Sequence, residues 1–212
     1  FWCYYKQDSL NDARNTIHAI LKSNRADDQC YQLCGYIYRA LGRIASCDSI
    51  LKIGLIKFPN SGPLYNDLGE RLSEQKNAKA IKCWESGIQK DPLFAGNYYN
   101  ASLYYLNNKN PFWGLMYGEL YVNLAPLGDK SITIRKKLLE TYKNIFTNIR
   151  QMNTAEFSSP FAKKYLTHLF KQEEISKKTL SLDDILMVRT RFLLDWYNDR
   201  NAVLPFHLFD MQ

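Results

Sequence analysis

Three prolines, Pro59, Pro92 and Pro126, stand 33 and 34 residues apart, and each ends a stretch with the same internal pattern. A recurrence near 34 residues constrains the fold more than any short motif could. One supersecondary unit must be built repeatedly, each copy burying its apolar face on the next. The unit ending at Pro59 opens with Tyr31, continues through Cys34-Gly35 and Tyr38, breaks at Gly42, and resumes with Cys47, Leu51 and Gly54. Its apolar residues recur with a helical period on both sides of Gly42, so the unit reads as helix, turn, helix. The second unit runs Tyr65, Leu68-Gly69, Leu72, Ala80, Trp84, Gly87 and Pro92; it is one residue shorter, in the polar turn Ser73–Asn77. Length changes are tolerated best in such turns. The third runs Tyr98, Ala101-Ser102, Tyr105, Gly114, Gly118, Tyr121 and Pro126.

Each position has a physical role. Small residues at Gly35, Gly69 and Ser102 let the first helix of a pair lie close to the second. Leu51 and Trp84 are expected to fill the space between adjacent pairs. Proline closes the second helix because it lacks an N–H and clashes with the preceding turn.

This order of residues resembles the tetratricopeptide repeat, which has a bulky residue, a Leu-Gly pair, an aromatic, small–large–small positions and a closing Pro. The resemblance implies an all-α fold, a right-handed α-α superhelix or solenoid. Ala13, Ile17 and Ile20 match the second helix of an incomplete unit and Tyr4 fits its first. On that register Phe1 falls in mid-helix, so the repeat is expected to begin before it. The expected organisation is an array over 1–126, with a partial repeat at 1–27 and repeats at 28–61, 62–94 and 95–128. A helical C-terminal extension over 127–212 is expected to cap the array, because a bare last repeat would expose an apolar face.

In that extension the 34-residue pattern stops. Asp129–Met152 reads as an amphipathic helix carrying Leu138, Leu139, Tyr142, Ile145, Phe146 and Ile149 on one side. Ser159-Pro160 is a helix start that opens a segment with Phe161, Tyr165, Leu169 and Phe170. Lys171–Lys178 reads as a loop. Ser181 and Asp184, spaced as a capping box, start a helix with Leu182, Ile185, Leu186, Phe192, Leu193 and Trp196 inward. The apolar tail Pro205–Phe209 has no helical period. Asn97–Asn100 with Trp113–Glu119, and Arg189–Tyr197 with Pro205-Phe206, resemble a group of uncharacterised repeat proteins from gut bacteria. That resemblance spans most of 30–212 and implies a bacterial origin. It is compatible with the cell envelope if a signal precedes Phe1, and with the cytoplasm otherwise.

Composition excludes several classes of function. The net charge of +7 is spread as 14 basic against 11 acidic residues in 1–126 and 14 against 10 in 127–212. The densest basic run is only Arg135-Lys136-Lys137, which reads as a solvated helix face rather than a nucleic-acid stripe. No run approaches the roughly 18 apolar residues of a membrane span. Cys34 and Cys47 sit at small buried positions. Cys30 and Cys34 are spaced i,i+4, but no histidine or second cysteine pair accompanies them, so no metal site is expected. His18, His168 and His207 fall on separate elements. No HExxH, phosphate loop or nucleophile elbow is present. Glu173-Glu174 and Asp183-Asp184 flank a loop and a helix start, where acidic residues complement the helix dipole. No cofactor is expected.

In the family that the chain resembles, the first helix of each pair lines the concave surface. Counted from each opening aromatic, the exposed positions there are Gln29, Gln32, Leu33, Tyr36 and Arg39, then Asn66, Asp67 and Glu70, then Tyr99, Asn100 and Leu103. Rings supply contact area at low entropic cost and amides pair with backbone, which suits peptide recognition. Some family members grip a C-terminal carboxylate with Lys and Asn. Here those positions hold Gln32, Tyr36, Asn66, Gly96 and Asn100, so a terminal carboxylate should contribute little. The leading expectation is a non-enzymatic scaffold holding a protein or peptide segment of unspecified identity. A second reading places a small-molecule or catalytic site within 127–212, and a third is polyanion binding near 135–137.

Overall fold

A computed structural model of the chain describes residues 9–23, 25–108, 111–148, 160–171 and 182–199. All regular structure among them is helical. The helices are α1 (Leu10–Leu21), α2 (Asp28–Ala40), α3 (Ile44–Lys57), α4 (Gly62–Glu74), α5 (Ala80–Lys90), α6 (Ala95–Asn107), α7 (Pro111–Leu124), α8 (Asp129–Asn148), α9 (Pro160–Phe170) and α10 (Leu182–Asn198). Contacts divide the chain into two compact units, Phe1–Ala101 and Ser102–Gln212. The division runs through α6, whose C-terminal half packs on α7: the Ser102 hydroxyl donates to Gly114 O at 2.7 Å, and the Tyr105 ring stacks on Trp113 and Tyr117.

In the first unit the repeat appears as two antiparallel pairs, α2–α3 and α4–α5, and the local signals repeat with it. Asp27 caps α2 by accepting from Cys30 N–H, and Ser61, at the equivalent position, caps α4 by accepting from Leu64 N–H. A capping oxygen satisfies one of the amides that a helix start leaves unpaired. Both turns within the pairs need a left-handed residue. Gly42 supplies it at φ 69° in the first, and Lys76 supplies it at φ 55° in the second. A side chain rarely adopts that region, so the second turn carries strain that the first avoids.

Packing follows the small positions. The core of the two pairs is Tyr31, Cys47, Leu51, Leu64 and Leu68. A second cluster joins Ala13 and Ile17 of α1 to Cys34 and Ile37 of α2, so the partial repeat contributes a packed helix. At Gly35 an added Cβ would meet Leu51 Cδ2 at 3.2 Å, whereas at Gly69 it would meet Trp84 Nε1 at 2.3 Å. The Trp84 ring therefore lies over the small residue of its own pair, a placement that the expectation of a spacer between pairs did not include. Its indole N–H donates to Asn66 O at 3.3 Å.

The second unit has a different core. Phe112, Tyr165, Phe192 and Trp196 form a chain of ring contacts between α7, α9 and α10. Gly118 of α7 would place a Cβ 2.8 Å from Leu138 Cδ2, which lets α8 approach. On α8, Leu138, Tyr142, Ile145 and Phe146 are buried as the amphipathic pattern requires. On α10, Phe192 and Trp196 are buried, but Leu186 is 51% exposed and does not face inward as expected. Phe1, Tyr4, Ile149, Ser159, most of Lys171–Lys178, Ser181 and the Pro205–Phe209 tail lie outside the described residues.

Candidate functional site

The first helices α2, α4 and the start of α6 stand side by side, and the expected site residues of the first unit fall along them. Gln32, Asn66 and Asn100 occupy one repeat position, 34 residues apart each time. Their amides interlock across the helices. Gln32 Nε2 donates to Asp67 Oδ2 at 2.8 Å. Asn100 Nδ2 donates to Asn66 Oδ1 at 2.8 Å and to Glu70 Oε1 at 3.1 Å. Asn66 Nδ2 reaches the same Glu70 oxygen at 3.1 Å. Tyr36 OH donates to Asp67 Oδ1 at 3.3 Å. Repetition of one polar position thus forms a hydrogen-bonded ladder running across the helices.

The ladder corrects one expectation. Asn66 and Asp67 are 8% and 6% exposed, not open groove positions. Burial pushes the Asp67 carboxyl up to about 6, against the pull of donors from Gln32, Asn66 and Tyr36, and with Glu70 repelling its charge. Tyr36 keeps an exposed ring, while burial and Asp67 push its phenol well above the usual range. Gln29 and Arg39 are exposed; Gln32, Leu33, Glu70, Tyr99, Asn100 and Leu103 are half-buried.

Beyond the ladder lies an ion network that the sequence reading missed. The Arg71 side chain, buried to 5% exposure, meets Asp48 Oδ1 at 3.2 Å and pairs with Glu74, which also pairs with Arg39. Gln75 Nε2 adds a bond to Asp48 at 3.1 Å. Burial opposes the charge on Arg71, but the two carboxylates raise its pKa above the ordinary guanidinium value. The available signal was Arg71 itself, a charge at an inward position of α4. The cleft between Gln32, Tyr36, Asp67 and Arg71 encloses only about 10 Å³, room for about one water. These residues therefore form a surface rather than an enclosed pocket.

Other candidates do not assemble. His18 bonds Tyr38 OH at 2.6 Å, and His168 contacts Asp199 at 3.1 Å in the second unit. Asp183 and Asp184 occupy the first turn of α10. Burial pushes Cys34 up to about 12, which makes it an unreactive thiol. Among the described residues no three His, Cys, Asp or Glu side chains are grouped to hold a metal, and no helix is long and apolar enough to cross a membrane.

Neither a protein-family profile nor a curated protein matches the chain. Solved structures do. A tetratricopeptide repeat protein from Parabacteroides merdae aligns over 99% of this chain and 93% of its own, with a TM-score of 0.54 and 12% identity. The fold is that of the tetratricopeptide repeat. TTC0263, a thermophilic tetratricopeptide repeat protein of Thermus thermophilus, aligns over 89% of this chain and 93% of its own at TM-score 0.50 and 14% identity. MamA covers 66% of this chain and 93% of its own at TM-score 0.49 and 18% identity. At such identities the likeness establishes the tetratricopeptide-repeat fold and nothing finer.

Proposed function

We propose that the chain is a non-enzymatic interaction scaffold that holds a segment of a partner protein along the first helices of its repeats. The observation that carries this reading is the ladder of Gln32, Asn66 and Asn100, with the exposed Tyr36 ring beside it. Residues joined in this way are pre-organised, so a partner does not meet the cost of ordering them. Asp48, Glu70 and Glu74, with Asp67 buried beneath them, outnumber Arg39 and Arg71 here, although the whole chain is basic. The local surplus of negative charge favours a neutral or basic segment and disfavours a terminal carboxylate.

Pull-down with the wild type and with a Tyr36→Ala/Tyr99→Ala variant tests the surface. The variant should lose the partners that the wild type retains. If it keeps every one of them, binding lies elsewhere. Measurable affinity for an acidic C-terminal pentapeptide, lost on amidation, would overturn the charge argument.

A further inference from the structure

The second unit contains a cleft of about 320 Å³ between α7, α8 and α10. That volume lies at the lower end of small-molecule sites, roughly 300–1,000 Å³. Its walls are Val122, Leu138, Leu139 and Leu186, which suit a saturated hydrocarbon. Leu186 at the mouth is 51% exposed, an apolar side chain facing water where the helix pattern calls for burial.

The polar groups of the cleft are few, and their charges do not cancel. Glu119 is 8% exposed and its Oε1 accepts from Tyr142 OH at 2.5 Å. Arg189 Nε lies 2.7 Å from the same oxygen, poorly aligned for a hydrogen bond but close enough for strong attraction. The Glu119 charge is thereby neutralised inside the protein. Arg189 remains about a third exposed on its outer side. Arg135, also in the lining, is exposed and donates through Nη2 to Pro126 O at 3.0 Å. Two guanidinium groups against one carboxylate leave the cleft with one surplus positive charge.

We propose that this cleft binds an amphipathic anion: a medium-chain carboxylic acid whose chain lies on Val122, Leu138, Leu139 and Leu186 and whose carboxylate meets Arg135 and Arg189. Guanidinium groups recognise carboxylates through paired N–H donors. The apolar walls exclude a small inorganic anion as the best fit, because they would have nothing to cover. A fatty amine would meet the surplus positive charge, and a fatty alcohol would leave it unused.

Titration calorimetry with decanoate, decanol and decylamine, below their aggregation limits, tests the assignment. Decanoate should bind tightest, octanoate about fifteenfold more weakly at about fourfold per methylene lost, and decylamine weakest. Arg135→Glu should weaken decanoate at least tenfold and leave decanol unchanged. Because Arg135 is an exposed residue, this variant should retain the wild-type circular dichroism spectrum and melting temperature. Leu186→Trp, which narrows the mouth, should weaken both ligands. Equal affinity for decanoate and decanol would overturn the proposal, as would indifference of decanoate to Arg135→Glu. Tighter binding of an acetylated pentapeptide ending in leucine would also overturn it, by showing that the cleft takes a chain terminus instead.

Discussion

The two units manage buried charge in opposite ways. In the first, Asp67, Glu70 and Arg71 lie on α4, where each has several neutral or ionic partners, and repetition supplies those from Gln32 and Asn100. In the second, Glu119 sits among the buried residues of α7, and its partners Tyr142 and Arg189 come from two other helices. A shared ladder spreads an energetic cost over many bonds, whereas a buried ion pair depends on both of its members. The cores differ in the same sense. The first unit sets small residues against Leu51 and Trp84 at regular intervals. The second fills its space with linked aromatic rings.

The largest expected effect tests the buried ion pair. Arg189→Met leaves Glu119 buried without its cation and should cost about 3 kcal/mol in urea unfolding, the lower end for a broken buried pair because Arg189 is partly exposed. Glu119→Leu/Arg189→Met should recover most of that loss. A double variant as unstable as the single one would mean that the pair does more than neutralise itself.

Next comes the ladder, through pH. The folded state holds Asp67 near 6, above the ordinary 3.8, so folding favours its protonated form. The resulting stability is present in full below about pH 3.8 and is lost as pH rises to about 6. The wild type should therefore lose up to about 3 kcal/mol relative to Asp67→Asn across that window. A flat difference in unfolding free energy between the two proteins would show that the ladder imposes no such cost.

The smallest effect separates two positions that the repeat makes equivalent. Alanine is favoured over glycine in a helix by about 1 kcal/mol, while overpacking costs about 1–3 kcal/mol. At Gly69 the new methyl would meet the rigid Trp84 ring, and Gly69→Ala should lose about 1–2 kcal/mol net. At Gly35 it would meet the flexible end of Leu51, and Gly35→Ala should match or slightly exceed the wild type. Equal losses at both sites in thermal melts would mean that the backbones, not the facing side chains, set the spacing.

Much of the architecture was legible in the residues because the signals are local and repeated. Pro59 and Pro92 close α3 and α5 within two residues, and the apolar spacing of α8 marks its buried face. The positions of Gln32, Asn66 and Asn100 also followed from counting. Their exposure did not, since counting identifies a helix face but not what the neighbouring helix places against it. Asn66 and Asp67 are covered because α4 lies between α2 and α6, each of which supplies a donor to it. Leu186 failed in the converse way: its spacing matches the buried side of α10, yet half of its surface stays open to water.

Periodicity was enough to specify helical pairs and their turns, and the resemblance carried by the same residues implied the fold, since each repeat meets its neighbour in the same way and local pattern implies local packing. The pairings of Arg71 with Asp48 and of Glu119 with Tyr142 and Arg189 have no such period. They join residues from separate helices, and their geometry comes from the packing of whole elements, which makes them visible only in three dimensions.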